Sequence, residues 1–280
     1  MKERVLLKTE VERRLEDYRV QLQNEELSVS TIRKYIADVK QWLSTADEEM
    51  VKGSVQQYKE NMCCKYKITS VNSKIISINR YLKWLGYDEL VVKTKRLQSM
   101  YNLDNVISRE DYMAMLDCAK SERKMKMYYI MKTIAQTGIR ISELQYVTVA
   151  AITKRSTVVM NKGKARTIYF TDALCDSLKR YCKDNNLTQG YVFLGRYRDR
   201  PITPGAVWKG LKYIGNLSGV PEELVYPHSF RHLFAKEYMR KVGDITELAD
   251  LLGHSRLETT WRYTKTTADE KRERLERLEL

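Results

Sequence analysis

The sequence predicts a mostly α protein in two parts, a helical N-terminal domain followed by a mixed α/β domain with a small antiparallel sheet. Three observations carry this. The 280 residues include only 12 glycines and 4 prolines, too few for the many tight turns of a sandwich or barrel. Apolar stripes at the 3.6-residue period recur through the first third. One pair of β-rich runs joined by a glycine-bearing turn interrupts the helical pattern later in the chain.

Residues 28–43 place Ile32, Tyr35, Ile36, Val39, Trp42 and Leu43 on one helix face, with Ser28 or Ser30 as N-cap. Residues 70–85 repeat the stripe with Val71, Ile75, Ile78, Leu82 and Leu85, and Gly86 stops that helix. Two more helices are expected over about 8–24 and 48–64. A basic stretch without periodicity follows Trp84. It sets the domain limits at 1–98 and 107–280, with 99–106 as linker. In the second part, 110–120 and 122–136 read as helices, the latter apolar nearly all round and hence buried. Residues 156–162 and 166–170 read as strands of a hairpin turning at Gly163-Lys164-Ala165. Thr171 caps the next helix, and further helices are expected over 203–217, 229–241, 244–252 and 268–279.

Lysine and arginine number 50 against 36 acids, a net charge of +14. Self-repulsion on that scale points to a polyanionic partner, nucleic acid before membrane. Both parts share the excess, with +5 before residue 98 and +9 after it. No apolar run approaches the ~20 residues of a spanning helix. The N-terminal residues lack a signal peptide's apolar centre. The five cysteines are odd in number and form no C-x-x-C, which fits a reducing cytoplasm without zinc or disulfides.

Three short segments stand out. Thr137-Gly138-Ile139-Arg140-Ile141-Ser142-Glu143-Leu144 sets an arginine just after a turn glycine, at the entrance of a helix. His228-Ser229-Phe230-Arg231-His232 follows Tyr226-Pro227, so a helix begins near 228 and carries His228 and Arg231 on one face. Leu251-Leu252-Gly253-His254-Ser255 precedes Tyr263 by nine residues from His254. Each has a plain reading as an ion-paired arginine, a capping histidine or a core tyrosine. Yet the chain's three histidines all fall within the last two segments, which rations the one side chain that titrates near neutrality to them. His232 points about 100° away from Arg231 and reads as packing or hydrogen bonding. Trp261 reads as a core anchor for the Tyr263 segment.

In order and spacing these segments resemble the three boxes of the tyrosine recombinase (phage integrase) family, in its Xer/integrase-like form, over nearly the whole chain. The resemblance implies a helical core-binding domain over 1–98 and a catalytic domain over 107–280. It implies site-specific DNA strand exchange through a 3′-phosphotyrosyl link, with no metal, cofactor or ATP. By resemblance Arg140, Arg231, His228 and His254 hold the phosphate, His228 also assists proton movement at Tyr263, Tyr263 attacks, and Glu143 orients Arg140. A lysine of the hairpin turn protonates the leaving 5′ oxygen. Lys162 is favoured for that role, with Lys164 as the alternative. A type IB topoisomerase-like enzyme and a catalytically silent DNA-binding regulator of the same fold remain alternatives.

Double-stranded DNA is the expected partner, met by a protein that is a monomer in solution and a homotetramer on two DNA sites. Lys74, Arg80 and Lys83 on the helix over 70–85, with Lys93, Lys95 and Arg96 beyond it, are candidate DNA contacts. A solvated helix face explains the first three equally well. The tail over 268–280 reads as a charged helix with Leu275, Leu278 and Leu280 on one side, either packed on its own domain or docked on a neighbouring protomer.

Overall fold

The structure, a computed structural model, describes residues 6–96, 106–161, 164–197, 199–254, 257–261, 263, 272 and 276. The chain divides into two compact units, Met1–Met100 and Tyr101–Leu280. The expected linker lies outside the described residues except for residue 106. The expected tail helix does so except for Arg272 and Glu276.

The first unit holds β1 (Leu6–Leu7), α1 (Lys8–Arg13), α2 (Leu15–Asn24), α3 (Val29–Leu43), β2 (Glu49–Met50), α4 (Lys52–Lys65) and α5 (Ile68–Trp84). The expected helix over 8–24 is two helices, because Arg14 closes one and opens the next. The expected helix over 48–64 starts only at Lys52, because Glu49 and Met50 pair with Leu7 and Leu6 in a short antiparallel ladder. Ser28 caps α3 by accepting from the Thr31 N–H. The apolar faces of these helices close on a core that includes Tyr18, Trp42, Tyr81 and Leu82.

A polar cluster links α3 to α5. Asp38 is buried on α3 and accepts from Lys34 (2.7 Å), from Lys74 (3.3 Å) and from the Ser77 hydroxyl (2.7 Å). Burial alone would raise its pKa. The hydrogen bonds from Lys34 and Ser77 and the lysine charges outweigh this and hold it below 3.8. The side-chain amides of Asn79 and Asn72 on α5 each exchange two hydrogen bonds with the backbone, of Val92 and Lys95 respectively. The start of the basic stretch is therefore fastened to the first unit rather than free to span.

The second unit holds α6 (Arg109–Ser121), α7 (Met125–Thr137), α8 (Val149–Lys154), β3 (Ser156–Asn161), β4 (Lys164–Tyr169), α9 (Asp172–Asp184), α10 (Pro204–Leu217), α11 (Pro227–Lys241), α12 (Ile245–Leu252) and α13 (Glu258–Trp261). Ser108 opens α6 with a reciprocal capping box to Asp111. Thr171 and Thr203 cap α9 and α10, and Pro227 sits in the first turn of α11, where its missing N–H costs nothing. The helix expected after Arg140 is a six-residue 3-10 helix, Ile141–Tyr146, and α8 was not foreseen. The apolar residues of α8 are few and short-spaced, so no stripe announces it. The hairpin turn is shorter than expected. The ladder pairs Asn161 with Lys164, so Lys164 begins β4 instead of sitting mid-turn.

The Asp38 cluster gives a testable expectation. Its carboxylate has a depressed folded-state pKa, so its stabilisation is present at neutral pH and is lost as pH falls through that lowered value. Asp38→Ala should cost about 1–3 kcal/mol at pH 7, since it removes the shared acceptor of two lysines and a hydroxyl, each of which keeps another partner. Denaturant titrations should show the deficit shrinking as pH is taken below 3.8, where the native carboxylate itself protonates.

Candidate active site

The site is built on the C-terminal end of α12. Gly253 ends that helix in the left-handed conformation, at φ 62°. The Gly253 N–H bonds to Asp250 O (2.8 Å) and the His254 N–H to Ala249 O (2.9 Å), the double bond of a Schellman turn. Among the described residues no backbone donor reaches the next three carbonyls. Each is taken by an arginine from a different part of the chain. Arg166 Nη1 donates to Leu251 O (2.7 Å), Arg231 Nη2 to Leu252 O, and Arg140 Nη2 to Gly253 O (3.1 Å). Three cations thus meet the negative end of one helix dipole.

Each arginine is placed by its own element. Arg140 follows the left-handed Gly138 that ends α7, and caps the 3-10 helix. A side chain at Gly138 would be strained by φ 61° and would meet Phe234 at 2.7 Å and Leu252 at 2.8 Å. The first motif therefore packs directly on α11 and α12. Arg231, on the inner face of α11, is 3% exposed and also donates Nη1 to Gly138 O (2.6 Å). Its fork ties the first motif to the third. Arg166 comes from β4.

Glu143 joins two of the three. It is 2% exposed. Its Oε1 accepts from Arg140 Nη1 (2.9 Å), and its Oε2 from the Arg140 backbone N–H (2.9 Å) and from Arg166 Nη2 (2.6 Å). Burial would raise its pKa, but the Arg140 hydrogen bonds and both guanidinium charges hold it low. One carboxylate against three guanidiniums leaves the cluster strongly cationic. Burial first, then Arg140 and Arg166, pulls the Arg231 pKa down to about 9.

The histidines and the tyrosine surround this cluster. His228 sits in the first turn of α11 at the exposed rim. Partial desolvation and the charges of Arg231 and Arg140 push its pKa below the usual histidine value. His254 is half-buried, and its Nδ1 shares a hydrogen bond with the Thr260 hydroxyl (2.8 Å). Tyr263 is 5% exposed and packs with Ala235, Met239, Leu248 and Leu252. Its hydroxyl is hydrogen-bonded to Nδ1 of His232. Trp261 is 54% exposed and is not the anchor that was expected; the buried residue of α13 is Thr260, which instead holds His254.

Arg140, His228, Arg231, His254 and Tyr263 all belong to this one neighbourhood. Lys162 lies outside the described residues, and so does the Lys164 side chain. In the first unit Lys74 is committed to Asp38 and Gln41 (2.6 Å), Arg80 is paired with Glu25, and Lys95 is paired with Glu60 (2.7 Å). Lys83, Lys93 and Arg96 are exposed.

Sequence reasoning missed Arg166 and the bond between His232 and Tyr263. Both had a signal. Residues 166, 168 and 170 alternate onto one strand face, and Ile168 and Phe170 are buried, so an arginine in that row needs a partner. His232 stands four residues after His228, one turn along the same helix face. Among the described residues no group of three or more His, Cys, Asp or Glu could hold a metal ion. No helix among them is long and apolar enough to cross a membrane.

The Phage integrase family model matches residues 105–270. The chain is 28% identical over 272 residues to "Tyrosine recombinase XerA" of Pyrococcus furiosus, covering 95% of this chain and 94% of that one. It is 28% identical over 273 residues to "Tyrosine recombinase XerC" of Staphylococcus saprophyticus, covering 88% and 90%. A crystal structure of XerA recombinase aligns over 96% of this chain and 98% of its own, with 25% identity and a TM-score of 0.53. A lambda integrase (75–356) dimer bound to a COC' core site shares the fold, with a TM-score of 0.76 at 14% identity over 95% and 97% of the two chains. With the family model spanning more than half of its length and relatives aligned along nearly all of it, this chain belongs to the phage integrase family.

Proposed function

We propose that this chain is a site-specific DNA recombinase that cuts and rejoins strands through a 3′-phosphotyrosyl intermediate. The observation that carries the reading is the cationic cluster on α12, with Tyr263 packed against the same helix. A phosphodiester is an anion that repels nucleophiles, so its attack needs neutralised non-bridging oxygens, an aligned nucleophile and a proton for the departing oxygen. Arg140 and Arg231 are the planar forks for those oxygens. His254, oriented through Thr260, gives a ring N–H to the same phosphate, and His228 stands at its edge.

In cleavage the Tyr263 oxygen forms a bond to phosphorus while the bond from phosphorus to the 5′ oxygen breaks. His232 orients the phenol through its hydrogen bond, and His228 assists the departure of the phenol proton. The 5′ oxygen takes a proton from Lys162, with Lys164 as the alternative donor. The phosphotyrosyl bond keeps the energy of the bond it replaced, and a 5′-hydroxyl from another strand reverses the step. The substrate is double-stranded DNA. The XerA and XerC relatives are named as tyrosine recombinases, and the lambda integrase chain is bound to a DNA core site. Lys83, Lys93 and Arg96 are proposed as backbone contacts of a DNA-binding first unit, with Lys74, Arg80 and Lys95 exchanging their carboxylate or amide partners for phosphates. A monomer that assembles as four protomers on two DNA sites, in the cytoplasm, completes the reading.

Tyr263→Phe should bind DNA as the parent does and give no denaturant-resistant protein–DNA adduct; any strand exchange by this variant would sink the assignment. His232 can be tested by isosteres, because an asparagine amide overlays Nδ1 and a glutamine amide overlays Nε2. His232→Asn should keep adduct formation within a few-fold, whereas His232→Gln and His232→Ala should lose about 10- to 100-fold. Equal losses in all three would reduce His232 to packing. The acid is read with a substrate whose bridging 5′ oxygen is sulfur, since a thiolate leaves without a proton. That substrate should restore cleavage by Lys162→Ala and not by Arg140→Ala; restoration of Lys164→Ala instead would move the role.

A further inference from the structure

Arg166 belongs to none of the three motifs, yet its side chain is set among them, less deeply than that of Arg231. Its side chain is 8% exposed. It crosses from β4 to the end of α12, donates to Leu251 O, and donates to Glu143 Oε2 on the opposite side from Arg140. It lies flat on Gly253, where a Cβ would meet Arg166 Cδ at 2.3 Å and Nε at 2.9 Å. The glycine of the third motif is therefore required by a neighbouring side chain as well as by its φ of 62°. Desolvation, then the charge of Arg140, works against the Arg166 cation, and Glu143 supports it. Its Nε is buried without a hydrogen-bond partner. A group held at that cost inside a protein generally has a job other than stability.

Resting on the recombinase reading above, we propose that Arg166 is a positioning residue for Arg140: it fixes Glu143 from behind, and through it the guanidinium that meets the scissile phosphate. The chain of contacts is direct. Glu143 offers one oxygen to the Arg140 guanidinium and the other to Arg166 and to the Arg140 backbone N–H. Without Arg166 the carboxylate keeps its whole charge for Arg140. Arg140 is then drawn inward by a stronger partner and is less available to an incoming anion. Arg166 also touches the carbonyl next to the two that Arg231 and Arg140 hold, so it sets the height of the α12 terminus against β4. That strand follows Lys162 and Gly163 in the chain. One side chain thus keeps the arginine that binds the phosphate, the turn that carries His254 and the strand that carries the hairpin in register.

The test separates positioning from folding by changing the charge of the substrate. Replacing one non-bridging oxygen of the scissile phosphate by methyl leaves that group neutral, so a variant that has lost arginine neutralisation no longer suffers for it. Two variants are compared with the parent, Arg166→Lys and the double variant Arg166→Gln/Glu143→Gln, with Arg140→Ala as reference. The lysine keeps a cation but cannot reach Glu143 and Leu251 O together. The double variant removes both buried charges and so leaves neither unpaired. Adduct formation is timed at saturating DNA on the ordinary and the methylated site, and thermal unfolding and non-covalent DNA binding are recorded alongside. We expect both variants to fold, to bind DNA as the parent does, and to form adduct about 10- to 100-fold more slowly on the ordinary site, the range seen when a group that orients an active-site ligand is lost. On the methylated site the gap should close to within a few-fold, as it should for Arg140→Ala. A gap of equal size on both sites, no gap at all, or failure of both variants to fold would overturn the proposal. A parent chain that forms no adduct on either site would instead sink the recombinase reading itself.

Discussion

The second unit is organised around the carbonyls at the end of one eight-residue helix. A helix C-terminus leaves its last carbonyls without donors, and burying them unpaired costs about 1–3 kcal/mol each. Here the Schellman turn at Gly253 satisfies Ala249 and Asp250, and three arginines take Leu251, Leu252 and Gly253 in succession. The arginines come from residues 140, 166 and 231, so the helix end is the meeting point of three segments far apart in sequence. The requirement is mutual. The carbonyls need donors, and the guanidiniums, crowded and desolvated, need negative partial charge. Neither arrangement is tolerable without the other.

Glycine makes the convergence possible at two points. Gly138 lets the backbone reverse out of α7 close enough for its own carbonyl to receive Arg231, and lets Phe234 and Leu252 close over it. Gly253 ends α12 and leaves room for the Arg166 stem. Lysine could not replace the arginines in this design. Arg231 bridges Gly138 O and Leu252 O, and Arg166 bridges Leu251 O and Glu143, each with two nitrogens of one rigid fork.

How much of this could be read from the sequence follows from which interactions are local. The stripes of α3 and α5, the cap at Ser28, the stop after α7 and the hairpin depend on neighbours in sequence, and they were legible. The grouping of Arg140, His228, Arg231, His254 and Tyr263 came from the resemblance of three short segments, and the structure brings these residues into one neighbourhood. The boundary at Lys52 was not legible, because the β1–β2 ladder that claims Met50 joins residues more than forty apart. Trp261 and Thr260 exchanged expected roles because hydrophobicity alone ranks the indole as the buried residue, whereas His254 needs a hydroxyl. Lys74 and Arg80 read as a polar helix face. Asp38 and Glu25, the acids that engage them, lie on or beside other helices.

What the cluster holds and what it leaves open together describe its chemistry. Each guanidinium carries five N–H donors. Among the described residues, Arg140 commits one donor to Glu143 and one to Gly253 O, and Arg231 commits one to Gly138 O and one to Leu252 O. Three donors remain on each, on side chains already fixed by their other bonds. A phosphate arriving between them has to immobilise neither arginine, because folding has already done so. Donors that need no rearrangement when charge develops are the ones that lower a barrier. The same fixation explains why one carboxylate suffices. A second would halve the net positive charge of the site and weaken its pull on an anion, while none would leave the buried charges too costly to assemble. Glu143 stands between those limits, shared by Arg140 on one oxygen and Arg166 on the other.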